Sequence, residues 1–358
     1  MNIFLTGMRY LLLFVTASFS ITAQAALDLL IFPEARTLRI KDNTSNTTDT
    51  SASIDFFGTA HYGQFRFLAE VFISEDNPET ERLQIGYEFT PSSSAWLGRM
   101  HNLLGYWNTQ YNHGTYLQTS ISRPQIAEFE HNGGLFPSHT TGLLFETSQE
   151  ITQEGSIDFS FVAGSSPELR ADNEAQLNGL VLHTRELFNP GKGSHKLNLA
   201  ARMIYSPQTM RNNQLGVFAS QIEIAVTDPN VNSIHLTVAG LLAYWEFQSL
   251  NIYSSLFYIR DRVESNNTKN TGSFSSGYMQ LDYLIEENWT LFGRLEDTFN
   301  ETADPYLALM QNFSPTTQVA GIRWDVTHNQ ALKLEASEKE LAGETITTLI
   351  LNWSAVFP

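Results

Sequence analysis

The sequence contains no cysteine among its 358 residues. This excludes a disulfide framework and a lipid attached to a cysteine at a cleavage site. Beyond residue 25 there is no run of about 18 consecutive apolar residues, so we expect no transmembrane helix. Basic residues are few, 21 against 38 acidic ones, and the formal net charge is −17. An acidic chain without a basic stripe excludes nucleic acid as a partner.

Residues 1–25 have the features of a secretory signal peptide. Arg9 is the only basic residue before an apolar run from Leu11 to Ile21, and Ala23-Gln24-Ala25 has the small-x-small pattern of a cleavage site. The apolar run is too short to span a membrane as a helix. We therefore expect cleavage after Ala25 and a mature domain of residues 26–358.

Apolar and polar residues alternate over much of the mature chain. In residues 81–89, Leu83, Ile85, Tyr87 and Phe89 share one face, and polar residues or glycine occupy the other. The same alternation recurs in segments 65–73, 157–163, 196–205, 221–226, 251–260, 279–285, 289–297, 319–327 and 331–337. A soluble β-sandwich would fit the composition equally well. Repeated alternating segments of about nine residues, separated by turns, instead favour an all-β, antiparallel transmembrane barrel.

The connections between these segments are of two kinds. Short turns such as 62–64 and 286–288 alternate with long polar stretches at 42–53, 261–272 and 299–315. This asymmetry predicts short turns and both chain ends on the periplasmic side, hence an even number of strands. Counting from Ala35–Lys41 gives 17 candidate strands, because residues 233–248 are either one strand or a hairpin. We predict 16 strands, with 18 as the alternative.

The last predicted strand, Thr345–Phe357, places Leu349, Leu351, Trp353 and Phe357 on one face. It resembles the C-terminal signature of Gram-negative outer-membrane proteins, although those chains usually stop at the aromatic residue and this one adds Pro358. With the signal, the alternation and the loop asymmetry, residues 26–358 resemble the Gram-negative porin family. Length and strand style suggest the phosphate-selective type of porin.

The resemblance to porins implies a function and a location. It implies a passive diffusion channel for small hydrophilic solutes or ions in the outer membrane, and no enzymatic activity. The expected partners are outer-membrane lipid and lipopolysaccharide, and association into a homotrimer stays open. The net charge leans toward excluding anions, which argues against phosphate as the solute.

The segment between His101 and His139 is the longest one without alternation. Long loops within a compact domain are usually functional. The resemblance implies that residues 102–138 are the third outer loop, which folds into the lumen and narrows the pore.

Charged and aromatic residues in and beside this loop are the candidate constriction residues. One interpretation pairs Arg99 and Arg123 with Glu128 or Glu130 to hold the loop against the wall. The other makes the arginines the positive side of a constriction and the glutamates its negative side. The rings of Tyr106 and Tyr111, with those of neighbouring aromatic residues, either form a stacking track for a solute or anchor the loop.

Four of the nine histidines lie in the same stretch, namely His101, His113, His131 and His139. With Glu128 and Glu130 they provide ligands that suit zinc or a similar divalent cation. Their spacing matches no metal-binding signature, so polar residues lining a wet pore are the alternative interpretation. A weakly bound divalent cation would be compatible with conduction, and a metal-handling channel is a second candidate function.

The sequence gives little support to two other classes of function. Ser120 and Ser122 lie near His113 in the sequence, but no Gly-x-Ser-x-Gly turn accompanies them, so a barrel-embedded hydrolase is disfavoured. An adhesin acting through its outer loops is weakly suggested by their Asn and Thr content. Charged residues on the polar faces of the strands, among them Arg294, Lys333 and Glu335, are expected to point to a water-filled lumen.

Overall fold

The computed structural model describes residues 26–75, 78–111, 114–151, 155–171, 180–185, 187–188, 193–207, 212–228, 230–266, 268–341 and 343–358. The proposed signal peptide and its cleavage site lie outside these residues. Within them the chain forms eighteen strands. Their bounds are β1 Ala26–Lys41, β2 Asn46–Tyr62, β3 Phe65–Ile73, β4 Pro78–Thr90, β5 Ser93–His101, β6 His139–Glu150, β7 Ser156–Ser165, β8 Glu168–Ala171, β9 Leu180–His183, β10 Leu197–Ser206, β11 Gln214–Val226, β12 Val231–Phe247, β13 Leu250–Ser265, β14 Lys269–Glu286, β15 Trp289–Phe299, β16 Thr317–Thr327, β17 Gln330–Leu341 and β18 Glu344–Ala355.

The strands form a closed antiparallel barrel. The ring closes because β1 pairs with both β2 and β18. Strand β7 pairs directly with β10, so the short hairpin β8–β9 is not part of the ring. This leaves sixteen strands in the barrel. Strand β8 makes a short parallel contact with the outer end of β11. The prediction of 16 strands is confirmed, and the alternative of an 18-stranded barrel is wrong.

The wall has the alternation that the sequence predicted. On β13 the side chains of Leu256 and Tyr258 are exposed on the outside, while Phe257 and Ile259, which alternate with them, are buried. Large apolar residues are exposed on the same outward face of neighbouring strands, for example Leu241 on β12. A band of exposed apolar side chains is what a barrel presents to hydrocarbon. Among the residues described, no helix is both long enough and apolar enough to cross a bilayer.

The sequence placed several strand boundaries wrongly. Strand β1 begins at Ala26 rather than Ala35. Of the two alternatives left open for residues 233–248, the single strand is the one observed, as β12. The predicted long loops 42–53 and 261–272 are mostly strand, because β1 with β2 and β13 with β14 continue pairing up to tight turns. Polar residues in these hairpins look like loop residues in the sequence, yet their backbone groups pair across the ladder.

The two ends of the barrel carry different connections. At the end that holds Ala26 and Pro358, the strands are joined by short turns such as Gly63-Gln64 and Gln248-Ser249. The long connections 102–138, 166–196 and 300–316 all lie at the opposite end. We call this second end the outer end and the first the inner end.

Replacing Leu241 with arginine should destabilise the barrel by about 2–4 kcal/mol, the cost of a charge at mid-membrane depth on a lipid-facing position. Leu241 is six residues from the inner end of β12 and 56% exposed on the outside. Thr345→Arg, near the outer end of β18, is the matched control and should cost about 0–1 kcal/mol. Urea titration of the folded protein in phospholipid vesicles measures both. Equal costs at the two positions would contradict a membrane-spanning wall.

Candidate functional site: the loop inside the barrel

Residues 102–138, which we call the lumen loop, connect β5 to β6. They contain one helical turn, α1 Trp107–Gln110, and three 3₁₀ turns, Thr115–Leu117, Gln125–Ala127 and Glu130–Asn132. The outer connections after β1 and β3 precede it, so it is the third one, as predicted. Its residues contact inward-facing side chains of β13, β15 and β17, which places the loop inside the lumen.

One side of the lumen loop packs on an apolar wall. The ring of Tyr106 stacks on Tyr244 of β12, with centroids 5.3 Å apart, and meets Tyr253 of β13 edge-on. Trp107 is fully buried and also contacts the ring of Tyr111. Aromatic pairs of this geometry add about 0.5–1.5 kcal/mol each beyond their buried area. The packing favours anchoring as the role of Tyr106 and Tyr111 over a stacking track for solutes.

Two glycines allow the backbone of the lumen loop to approach its neighbours closely, the wall at Gly105 and the loop 300–316 at Gly133. Gly105 has a φ of +74°, and a Cβ there would lie 2.8 Å from the ring of Phe257 on β13. Gly133 has a φ of +90°, and a Cβ there would lie 2.9 Å from the side chain of Asn312 in the loop 300–316. Glycine is favoured at both positions because positive φ values strain other residues.

The opposite side of the lumen loop is held by charged side chains of three successive strands. Each strand carries a cation and an anion two residues apart. We call the six residues the charge ladder: Arg294 and Glu296 on β15, Arg323 and Asp325 on β16, and Lys333 and Glu335 on β17. The partners on β15 and β16 form ion pairs of 2.8 and 2.7 Å.

The cations of the charge ladder donate to carbonyl oxygens of the lumen loop. Arg294 donates to the carbonyls of Ser122 and Arg123 at 3.0 and 3.1 Å. Arg323 and Lys333 both donate to the carbonyl of Gln118, at 2.8 and 2.6 Å. Such charge-assisted hydrogen bonds are roughly twice as strong as neutral ones.

The anions of the ladder accept from backbone amides of the loop. Glu335 accepts from the N–H groups of Ile121 and Ser122 at 2.6 and 3.2 Å. Glu296 accepts from the N–H of Gln125 at 2.5 Å. These bonds give backbone donors and acceptors of loop residues 118–125 partners on the wall, as buried backbone groups require.

The ladder side chains on β15 and β17 are buried, and those on β16 are partly exposed. Arg294 and Lys333 are each 1% exposed and Glu335 is fully buried. The expectation that these charges point to an aqueous lumen is therefore wrong for the ladder residues on β15 and β17. Sequence reasoning found the residues but missed their role. The available signal was the repeated cation-x-anion pattern at Arg294, Arg323 and Lys333.

A second buried cluster lies where the lumen loop leaves and rejoins the wall. We call Glu81, Arg99, Glu130 and His139 the hinge cluster. The two ring nitrogens of His139 lie 2.9 Å from a carboxylate oxygen of Glu81 and 3.2 Å from one of Glu130. A guanidinium nitrogen of Arg99 lies 3.9 Å from Glu130, which is the pairing that the bracing interpretation predicted.

Electrostatics keeps Glu130 ionised. Burial opposes its charge, but His139, Arg99 and the N–H of Ser138, which donates at 2.8 Å, together hold the pKa of Glu130 well below its usual range. Arg99 also donates to the backbone carbonyl of Glu81 and to the hydroxyl of Thr184 in the connection 166–196. The hinge cluster thus ties the lumen loop to two other parts of the chain.

Arg123 braces the lumen loop internally. It donates to the carbonyl of Ala127 at 2.9 Å and to the side chain of Asn108 at 3.2 Å, and its guanidinium lies 3.9 Å from the centre of the Phe129 ring. Burial lowers its pKa to about 10, with Glu128 and Glu130 opposing, so it stays charged at neutral pH. Glu128 is half-buried beside it.

The structure describes the side chains of two of the four histidines predicted as metal ligands. His101 and His139 face each other across the β5–β6 ladder, with ring centroids 5.0 Å apart. His113 and the side chain of His131 lie outside the described residues. Among the residues that the structure describes, no three or more His, Asp or Glu side chains are arranged so that they could hold a metal ion. The metal site stays a prediction.

A water-accessible cavity of about 510 Å³ lies at the inner end, beside the β4–β5 turn. We call it the vestibule. The charged residues that line it are Arg66, Glu88, Glu146, Asp158 and Arg202. Two are basic and three acidic, so the vestibule carries a slight excess of negative charge and suits hydrated polar solutes.

Comparison with solved structures identifies the fold. No protein-family profile matches the sequence, and no curated protein matches it. The outer-membrane channel DcaP of Acinetobacter baumannii aligns with a TM-score of 0.62 and 10% identity, over 94% of this chain and 99% of DcaP. The anion-selective porin of Comamonas acidovorans gives 0.63 and 11%, over 93% and 100% of the two chains. Salmonella typhi OmpF gives 0.59 and 11%, over 92% and 97%. The chain has the fold of the Gram-negative outer-membrane porins.

Replacing Glu335 with glutamine should lower the free energy of unfolding by about 1.5–3 kcal/mol, because two loop amides lose a charged acceptor. Glu338→Gln on the same strand is the matched control, since Glu338 is exposed and should change stability by less than about 0.5 kcal/mol. Urea titration measures both. A Glu335 variant as stable as the Glu338 variant would show that the ladder does not hold the loop.

Replacing Glu130 with glutamine should cost about 3–5 kcal/mol, since it breaks a buried, hydrogen-bonded ion pair. The lowered pKa of Glu130 determines the pH range in which its charge stabilises the fold. This stabilisation is fully present above pH 4.5, the ordinary pKa of a glutamate, and is lost as the pH falls through the lower pKa of the folded state. The stability difference between wild type and variant should therefore persist from pH 6 to 4.5 and shrink only below that. A difference that vanishes by pH 5 would contradict the hinge cluster.

Proposed function

We propose that the protein is a passive diffusion channel of the Gram-negative outer membrane that admits small hydrophilic solutes or ions. The observation that carries the proposal is a closed barrel with apolar side chains outside and a polar, water-accessible vestibule inside. Lipid-facing apolar residues around a polar interior are the arrangement of a transmembrane barrel channel.

The lumen loop is the proposed constriction of this channel. The loop is joined covalently to β5 and β6 and bonds to the wall across the lumen, to β12 and β13 through Tyr106 and to β15–β17 through the charge ladder. A segment fixed at both sides narrows the passage permanently and does not act as a freely moving gate. We therefore expect a small conductance and a preference for small solutes.

The charges of the vestibule support a weak preference for cations. Three acidic and two basic side chains line it, and the whole sequence has a formal net charge of −17. Rings of charged side chains set the selectivity of a pore by their sign. Reversal potentials measured in a salt gradient across a planar bilayer test this part of the proposal.

The proposed surroundings are outer-membrane lipid and lipopolysaccharide, with a homotrimer as the proposed assembly. Chemical cross-linking of the protein in detergent tests the trimer. An enzymatic role is not proposed, because the two loop serines of the hydrolase alternative, Ser120 and Ser122, both bond to Arg294 of the wall.

In planar bilayers, the purified protein should give stepwise single-channel currents, and a variant lacking residues 112–134 should give a larger unit conductance. The deletion removes most of the lumen loop and its contacts with the charge ladder. Because that variant could misfold, Glu335→Gln provides a second test, expected to increase current fluctuations, with Glu338→Gln as control. Absence of any current from folded wild-type protein would refute the channel. An unchanged unit conductance in a folded deletion variant would refute the constriction.

A further inference from the structure

Two buried aspartates meet at the outer rim of the barrel. Asp261 on β13 is 1% exposed, and Asp304 in the loop 300–316 is 4% exposed. Both carboxyl groups lie over the backbone of Gly272 on β14, where a Cβ atom would collide with one oxygen of each. The two carboxyl groups form a hydrogen bond with each other. Ionised carboxylates can only accept, so this bond requires a proton on one of the two groups.

The surroundings of the pair disfavour a second negative charge. The cross-strand neighbour of Asp261 on β12 is the buried Leu236. The buried Ile259 and Val263 flank Asp261 on the same face of β13. A carboxylate placed among apolar side chains and beside another carboxylate loses its solvation and is repelled. The apolar environment therefore favours the form of the pair that keeps one proton.

The other titratable groups near the pair point outward or stay neutral. Arg260 and Arg262 alternate with Asp261 and are exposed on the outside of the barrel, and His235 of β12 pairs with Arg262 on that same side. Charges on the lipid face are unfavourable within hydrocarbon, so the two arginines place this level beyond the membrane-spanning part of the strand. Tyr306 faces the pair from the loop. Burial, and after it the two carboxyl groups, raise the pKa of its phenol well above the ordinary value, so it stays neutral.

The pair loses its proton near neutral pH. Burial and the Asp304 carboxyl raise the pKa of Asp261 to about 7, with the backbone N–H groups of Asp261 and Gly272 opposing. Asp261 is therefore the donor and Asp304 the acceptor. Because this pKa is raised, the stabilisation by the bond is present at low pH and is lost as the pH rises through about 7.

Asp304 connects the pair to the lumen loop. Its second carboxylate oxygen accepts from the N–H groups of Tyr306 and Leu307, each at 3.0 Å. Tyr306 is fully buried, and its hydroxyl donates to the carbonyl of Leu135 in the lumen loop at 2.6 Å. The loop 300–316 thus lies against the lumen loop and is held to the wall through the aspartate pair.

We propose that Asp261 and Asp304 form a proton-dependent latch, which keeps the loop 300–316 closed over the outer entrance and releases it when the shared proton is lost to water. Loss of the proton leaves two carboxylates in contact, and their repulsion is relieved when Asp304, on the loop, moves into solvent. Tyr306 then leaves the carbonyl of Leu135, and the entrance above the lumen loop widens. The effect on conduction rests on the proposed channel function, whereas the latch itself does not.

The latch is tested by the distance between the loop 300–316 and the rim. The chain has no cysteine, so spin labels on Ala308→Cys in the loop and Asn270→Cys on β14 report that distance in the folded, detergent-solubilised protein. One distance is expected at pH 5.5, and a longer one should replace it as the pH rises to 8.5. The ratio of released to latched protein should change by up to about tenfold per pH unit near the midpoint, as the loss of one proton requires.

Asp261→Asn is the variant that removes the titration and keeps the bond. Its amide can donate to Asp304 at every pH, so the short distance should persist at pH 8.5. Asp304→Asn keeps the capping oxygen and gives Asp261 a permanent donor, and it serves as the second variant with the same expected result. Asp49→Asn is the matched control, because Asp49 is exposed near the outer end of β2 and the change in charge is the same. It should keep the wild-type response to pH.

A wild-type distance that is equal at pH 5.5 and 8.5 would overturn the latch, and so would a wild-type response in both asparagine variants of the pair. Unit conductance in planar bilayers separates the latch from the channel. It should be larger at pH 8.5 than at pH 5.5 in the wild type and constant in Asp261→Asn. Equal conductance at both pH values, with a distance that responds, would overturn control of the entrance by this loop. If the folded protein carries no current while the distance responds, the channel proposal fails and the latch stands.

Discussion

A peptide segment that crosses the interior of a barrel must find partners for its own amide and carbonyl groups, and this requirement organises the lumen. Water could supply those partners only in a wide pore. Here the wall supplies them through side chains on β15, β16 and β17, whose charges are in turn neutralised by each other and by the loop. Burying the loop without these wall residues, or these wall residues without the loop, would be energetically unfavourable, because each would have buried polar groups without hydrogen-bond partners.

Two neighbouring parts of the wall hold the loop by different chemistry. On β12 and β13 the contact is between rings and aliphatic side chains, which fixes distance but little direction. On β15–β17 it is made of directional bonds between charged groups and backbone. Together they fix the loop in both position and orientation. The interior of this barrel is therefore packed over much of its cross-section, and solute has access where neither kind of contact reaches, as in the vestibule.

The barrel was predictable because its signal is local. Each strand reveals its lipid face through alternation within about nine residues, so the strands can be recognised one by one without knowing their neighbours. The count of 17 candidates exceeded the observed sixteen by one. The predicted strand boundaries were wrong where polar hairpins extend beyond the membrane, as at residues 42–53. Alternation there no longer distinguishes a lipid-facing from a water-facing side. The site was less predictable because its contacts join residues far apart in sequence. Glu335 and Ile121 are one such pair, and no spacing rule brings them together. Arg99 with Glu130 was among the pairings considered because both residues lie in or beside the same loop.

Closure of the ring joins the first and last strands of the described chain, from Glu34 opposite Ser354 to Lys41 opposite Thr347. Until β18 is in place, β1 and β17 are free edges whose peptide groups have no partner, and a bilayer offers none. The barrel therefore closes in one late step of assembly. Almost the whole polypeptide must be present before β1 can pair with β18. Contacts between residues so distant in sequence form slowly, which leaves a long interval in which an unclosed sheet has to be shielded from aggregation on its way to the membrane.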